Sequence, residues 1–339
     1  MSRMRVSLSI MASLMGGTAM AEVPNVAVDI APVHSLVTRV MAGVGEPALV
    51  IPAGASPHEY NLRPSEAAAL QDADLVFWMG EDLTPWLEDA VETLAEGAAV
   101  TELLSVDGIR LLDFREGALF EAHSHGDHGD HDDHEEHADH DEHDHEEHAD
   151  HDEHDHDDHG HDDHAGHDHG EHDPHAWLAP SNATVWLNVI AAELSAVDPE
   201  NAGTYFANAA EAIAEMEALS AQVRETLARV QDMSFIVFHD AYQYFEADFG
   251  LSAAGAISIG DATDPSPARI AEIQGRLRDE GVDCVLSEPQ FNPGLVEAAL
   301  DGTEAATAVI DPLGAELEPG PDLYPTLIRN MAATLASCG

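Results

Sequence analysis

Short apolar runs alternate with stretches of helical period along most of this chain. Val26–Ile30, Leu49–Ile51 and Leu75–Trp78 are apolar enough to predict buried strands, and Pro64–Asp72 and Pro85–Ala95 read as helices. The same rhythm returns after Val230, where Phe235–Phe238, Ala256–Ile259, Cys284–Ser287 and Ala308–Ile310 read as strands separated by helices. Alternating strands and helices predict an α/β fold with a mostly parallel, helix-flanked sheet in each half.

Between the halves runs the longest helical signal. Asp198 is placed to cap it, and Pro199 suits its first turn. Phe206, Ala209, Ile213, Met216, Leu219, Val223, Leu227 and Val230 then form one apolar stripe. About 30 residues at 1.5 Å each give a rod of roughly 45 Å, long enough to join two lobes rigidly. The predicted organisation is an N-terminal lobe from 22–120 and 174–197, a linker helix over 198–231 and a C-terminal lobe over 232–339.

Two segments break the pattern. Arg3 and Arg5 precede an apolar run from Val6 to Met15, which ends in the small-residue sequence Ala19-Met20-Ala21. That is a secretory signal over 1–21, cleaved near Ala21, and it predicts export to the periplasm. No later segment approaches the roughly 20 apolar residues of a membrane helix, so no membrane insertion is expected.

The second segment, residues 121–173, holds 24 acids, 19 histidines and no Lys or Arg. It has too little apolar surface to offset its ordering entropy, so disorder is expected. An eleven-residue unit, HEEHADHDEHD, occurs twice in tandem from His134 to Asp155. An acidic linker explains the acids but not histidine at every second or third position. Imidazole is the commonest metal ligand, so the segment reads as many weak metal sites. The formal charge of −54 argues against a nucleic-acid partner, since phosphate binding needs clustered Lys and Arg.

Outside that segment only His34, His58, His175 and His239 remain. His239 follows a predicted strand, and His58 lies in the loop beyond another, within PAGASPHEYNLRP. Ligands of open α/β sheets bind outside the carboxyl ends of strands, where both residues fall. His175, in DPHAWLAP, stands where apolar patterning resumes, and Glu288 and Asp311 follow strands of the C-terminal sheet. Three neutral imidazoles plus a carboxylate or water make a tetrahedral site suited to Zn²⁺. His34, in APVHSLV at a strand–helix junction, reads as a capping or packing residue. Cys284 and Cys338 fit one disulfide in an oxidising compartment, and they lack the C-x-x-C pairing of a thiolate metal site. No cysteine near Ala21 offers a thiol for a lipid anchor.

The segments SPHEYNLRPSEAAALQDADLVFWMG, DPHAWLAP, FHDAYQYFEADFG, SEPQFNP and DPLG, in that order, resemble the periplasmic solute-binding proteins of zinc and manganese ABC transporters, most closely the ZnuA family. The resemblance covers almost the whole chain after the leader. It implies two α/β lobes joined by a long helix, with metal in the cleft between them. It makes His58 and His175 the N-lobe ligands, His239 the C-lobe ligand and Asp311 the fourth, with Glu288 or water as alternatives. Some members place a glutamate before the first ligand; here that residue is Pro57. Manganese-binding relatives carry a carboxylate in place of His239, so imidazole there implies zinc. A Cys284–Cys338 disulfide matches that of some members. The implied role is zinc capture by a monomer that delivers the ion to an inner-membrane ABC permease, with no catalysis. A periplasmic zinc buffer without a transporter is the competing expectation. A zinc hydrolase is the weaker one, because the chain has no H-E-x-x-H and only Glu59 or Glu288 to act as base.

Overall fold

The chain builds two parallel four-stranded sheets with the same strand order. Strands β1 (Val26–Val28), β2 (Ala48–Leu49), β3 (Leu75–Trp78) and β4 (Ala99–Glu102) lie as β2-β1-β3-β4. Strands β5 (Phe235–His239), β6 (Gly255–Ser258), β7 (Cys284–Ser287) and β8 (Ala306–Val309) lie as β6-β5-β7-β8. The computed structural model describes residues 23–115, 172–258, 265–279, 281–291, 293–300, 302–303 and 305–339. The expected leader 1–21, and all of the acidic segment 121–173 except its last two residues, lie outside the described residues.

In each sheet the order reverses direction beside the first strand, which opens a crevice at the carboxyl ends of β1 and β3 and again of β5 and β7. Among the described residues the helices are α1 (Ala31–Val40), α2 (Pro64–Gln71), α3 (Pro85–Leu94), α4 (Pro180–Val197), α5 (Ala202–Leu227), α6 (Gln243–Phe249), α7 (Pro267–Asp279), α8 (Pro293–Leu300) and α9 (Leu323–Cys338). Helices α1 to α4 each have proline in the first turn, where its fixed φ suits the helix and its missing N–H has no intrahelical partner to lose.

The long helix is shorter than its sequence pattern. It starts at Ala202, because Asp198 ends α4 instead of capping α5. The Asp198 carboxylate accepts hydrogen bonds from the Tyr205 hydroxyl (2.8 Å) and the Asn201 amide (2.7 Å), which fixes the tight turn between the two helices. The buried face follows the expected stripe at most positions and departs from it only in the first turns of the helix. Tyr205, Ala209, Ala212, Met216, Leu219, Val223 and Leu227 face the core, while Phe206 is half exposed. Helix α5 packs on α4, α1 and α9 and is a structural wall, not a bare rod.

One hydrophobic core runs from β1 and β3 through Trp177, Trp186, α5 and α9 to Phe235, Val237 and Leu286 of the second sheet. A smaller cluster of Ile236, Phe238, Ile257, Ile273 and Val285 covers the opposite face of that sheet. Cys284 and Cys338 form a disulfide that ties the last turn of α9 to β7.

His34 is buried in α1 with Nε2 3.0 Å from the Pro47 carbonyl, so it packs and bonds locally. Burial holds its pKa below 6.5, only partly offset by that carbonyl and Glu46. The unfolded chain therefore takes up this proton first as pH falls, so the residue lowers stability below about pH 6.5. We expect His34→Gln to lose less stability than the parent between neutral pH and about pH 5.5, read by urea unfolding of the metal-free protein. An equal loss would contradict this.

Candidate metal centre

Three chain-distant imidazoles meet at the carboxyl ends of the strands. His239 is the last residue of β5, His175 opens the 3₁₀ turn Ala176–Leu178, and His58 sits in the loop between β2 and α2. The Nε2 atoms of His58 and His175 are 3.3 Å apart, and those of His239 and His175 are 3.4 Å apart. Ligand atoms of all three lie within 4.8 Å of one another, the one such cluster among the described residues. A tetrahedral ion with Zn–N bonds of about 2.0–2.1 Å places its nitrogens about 3.3 Å apart. Two edges of that tetrahedron are therefore already present.

Carboxylates behind the rings fix which nitrogen faces the centre. Asp173 Oδ1 is 2.7 Å from His175 Nδ1, and Glu288 Oε1 is 2.6 Å from His239 Nδ1. With both Nδ1 atoms protonated toward carboxylates, the Nε2 lone pairs point inward. A cation placed between the rings would accept such lone pairs.

Asp173 earns its place through a local turn: its Oδ1 also accepts the His175 backbone N–H at 3.0 Å, two residues on. Burial pushes its pKa up to about 6, against the opposing pull of that N–H, the Gln243 amide, Arg115 and His239. A cation on the ring beyond would favour its ionised form. The D-P-H triplet is the sequence signal for this contact, although Asp173 is not among the residues singled out from sequence. Glu288, expected as an alternative ligand, instead backs His239 across the β5–β7 crevice, and Gln290 donates to its other oxygen at 2.9 Å.

Asp311 is not in the cluster of ligand atoms. Its Oδ1 accepts the N–H groups of Leu313 (3.0 Å) and Gly314 (2.9 Å), and its Oδ2 accepts that of Ala315 (2.6 Å). Gly314 holds a positive φ of 72° in this turn, which favours glycine. The same turn reaches the site, since the Trp177 indole donates to the Pro312 carbonyl at 2.8 Å. His58 is the most accessible of the three imidazoles. Its loop is held by the Trp86 indole, which donates to the Pro57 carbonyl at 2.8 Å. His175 and His239 are buried against Trp177, Tyr242 and Phe291, a setting that strengthens any ionic contact.

This fold is that of the metal-binding solute-binding proteins. A crystal structure of ZnuA superposes with a TM-score of 0.69 at 20% identity, covering 93% of this chain and 99% of the other. A solute-binding protein from Pseudomonas aeruginosa, FpvC in complex with Mn²⁺, gives 0.71 at 19% identity over 94% and 98%. The family profile "ZnuA: Zinc-uptake complex component A periplasmic" matches residues 26–338. The high-affinity zinc uptake system protein ZnuA of Brucella abortus (strain 2308) is 47% identical over 97% of this chain and 95% of its own length. That of Paracoccus denitrificans (strain Pd 1222) is 45% identical over 98% of each. The chain belongs to the ZnuA family.

Proposed function

We propose that this protein captures Zn²⁺ in the periplasm and delivers it to an inner-membrane ABC permease for zinc uptake. The observation that carries the reading is the inward convergence of three Nε2 atoms, two of them backed by carboxylates on Nδ1. Relatives named high-affinity zinc uptake proteins, at 45–47% identity, support both the cargo and the transporter partner. His58, His175 and His239 serve as ligands, and imidazole donors favour zinc over harder cations. For the fourth position we assign Asp311, which keeps lone pairs beyond its three N–H contacts, or a water. Glu288 is better used in orienting His239.

The protein acts as a carrier, not an enzyme. Glu288 is committed to His239, and Glu59 is exposed, so neither is held as a general base beside an open metal position. The hydrophobic core is continuous between the sheets, so loading and release proceed through small tilts and movements of the His58 loop.

The acidic histidine segment supplies additional weak zinc sites that feed the centre. Deleting residues 121–170 is expected to leave a single tight zinc site in a calorimetric titration and to abolish the weaker phase. Loss of the tight phase as well would remove the three-histidine assignment. Growth of a null strain under zinc chelation separates transport from buffering, since a transport component without its permease gives no rescue.

A further inference from the structure

Beside the metal centre lies a buried ionic cluster that the ligand set does not use. Arg115 places its guanidinium between Asp240 and Glu246, and all three side chains are at least 89% buried. Arg115 Nε is 3.0 Å from each Asp240 oxygen, and Nη2 contacts Oδ1. Nη1 and Nη2 meet the two Glu246 oxygens at 2.8 and 3.0 Å. Such a fork holding two carboxylates is a geometry that lysine cannot reproduce.

The partners define what the cluster joins. Asp240 directly follows His239, and Glu246 lies in α6. The 112–115 segment that carries Arg115 is bound to the segment leading into His175. The Asp173 N–H donates to the Leu112 carbonyl at 2.8 Å, and Asp113 and His172 form an antiparallel bridge. Helix α6 grips the same pair of segments through its first two residues. Gln243 donates to the Asp113 carbonyl (3.0 Å) and to Asp173 Oδ2 (3.2 Å). The Tyr244 hydroxyl accepts from the Leu112 N–H (3.0 Å) and donates to the Asp173 carbonyl (2.7 Å).

We infer that Arg115 is a positioning residue for metal binding: by bridging Asp240 and Glu246 it locks the His239 turn to the bridged segments that lead into His175, and so sets the approach of the two buried ligands. This rests on the zinc reading above, and it makes a prediction opposite in sign to simple electrostatics. Arg115 interacts electrostatically with Asp173, which backs His175, while Asp173 and Asp240 both interact with His239. Removing a nearby positive charge should, by Coulomb attraction alone, tighten a cation site. If the bridge sets ligand geometry, its removal loosens the site instead.

The test uses Arg115→Met, Arg115→Lys and the double variant Arg115→Met/Asp240→Asn, which keeps the cluster's net charge at −1, in the full chain. Zinc affinity is read by chelator competition, and the ring ¹⁵N resonances of His175 and His239 are read in the zinc-free protein. The expected result is at least tenfold weaker zinc binding in Arg115→Met, partial recovery in Arg115→Lys and displaced ring resonances in the methionine variant. If Arg115→Met does not fold, the double variant, in which Glu246 keeps the Ala253 N–H as a partner and the net charge is unchanged, is expected to show the same tenfold loss. Parental or tighter affinity in the folded variant overturns the proposal. A parent with no saturable zinc site would sink the zinc reading, and the ring resonances would then decide the bridge, with unchanged positions overturning it.

Discussion

Replacing His239 with alanine is expected to weaken zinc binding by about a hundredfold or more while leaving the fold intact. Structural zinc sites are worth about 10–16 kcal/mol, so one donor of four carries about 3 kcal/mol, or two orders of magnitude. His239 should lie at the upper end for two reasons. It is the imidazole that the second sheet contributes to the three-histidine cluster, and its orientation is fixed by Glu288 at 2.6 Å. Its removal also leaves that buried carboxylate without its ring partner. Chelator competition on the protein lacking residues 121–170 reads this directly, because the weak sites no longer mask the loss. An affinity within a few fold of the parent would mean that His58 and His175 bind without it.

The second large effect concerns stability rather than binding. Cys284 sits fully buried in β7 and Cys338 in the last turn of α9, 54 residues apart. Closing a loop of that length stabilises the folded state by about 4 kcal/mol in the chain-entropy model. Cys338→Ser, measured by urea unfolding without metal, is expected to lose stability of that order. Helix α9 packs against α5 and α1, so the bond anchors the second sheet to the helices beside the first. Zinc affinity should change little, because neither cysteine touches an imidazole of the cluster. An unchanged unfolding midpoint would show that packing of α9 alone suffices.

Much of this architecture was legible in the order of residues, and the exceptions have physical causes. Leu75–Trp78 and Cys284–Ser287 read correctly to the residue because each is a short run, apolar except for Ser287, held in the interior of a sheet. Ala99–Glu102 gave no such signal, since it is an edge strand with half its residues exposed. Helix α4 is apolar nearly all round, so its period was faint. Asp198 illustrates a genuine ambiguity: D-P-E-N suits a helix start or a helix–helix turn, and the Tyr205 hydroxyl decides for the turn.

The candidate site divides in the same way. Strand-end position pointed to His58 and His239, and the break in composition after the acidic run pointed to His175. What sequence could not supply was the layer behind them. Glu288 was visible as a strand-end acid, yet its pairing with His239 depends on β5 and β7 being neighbours. The Arg115 bridge spans 125 residues to Asp240 and belongs to no motif.

The central claim is tested most directly by a zinc-loaded crystal structure, with the ion located by anomalous scattering at the zinc edge. The account predicts one ion in the described fold, about 2.0–2.1 Å from the Nε2 atoms of His58, His175 and His239, with an Asp311 oxygen or a water as fourth donor. An ion bound elsewhere, or held by fewer than these three rings, would contradict it.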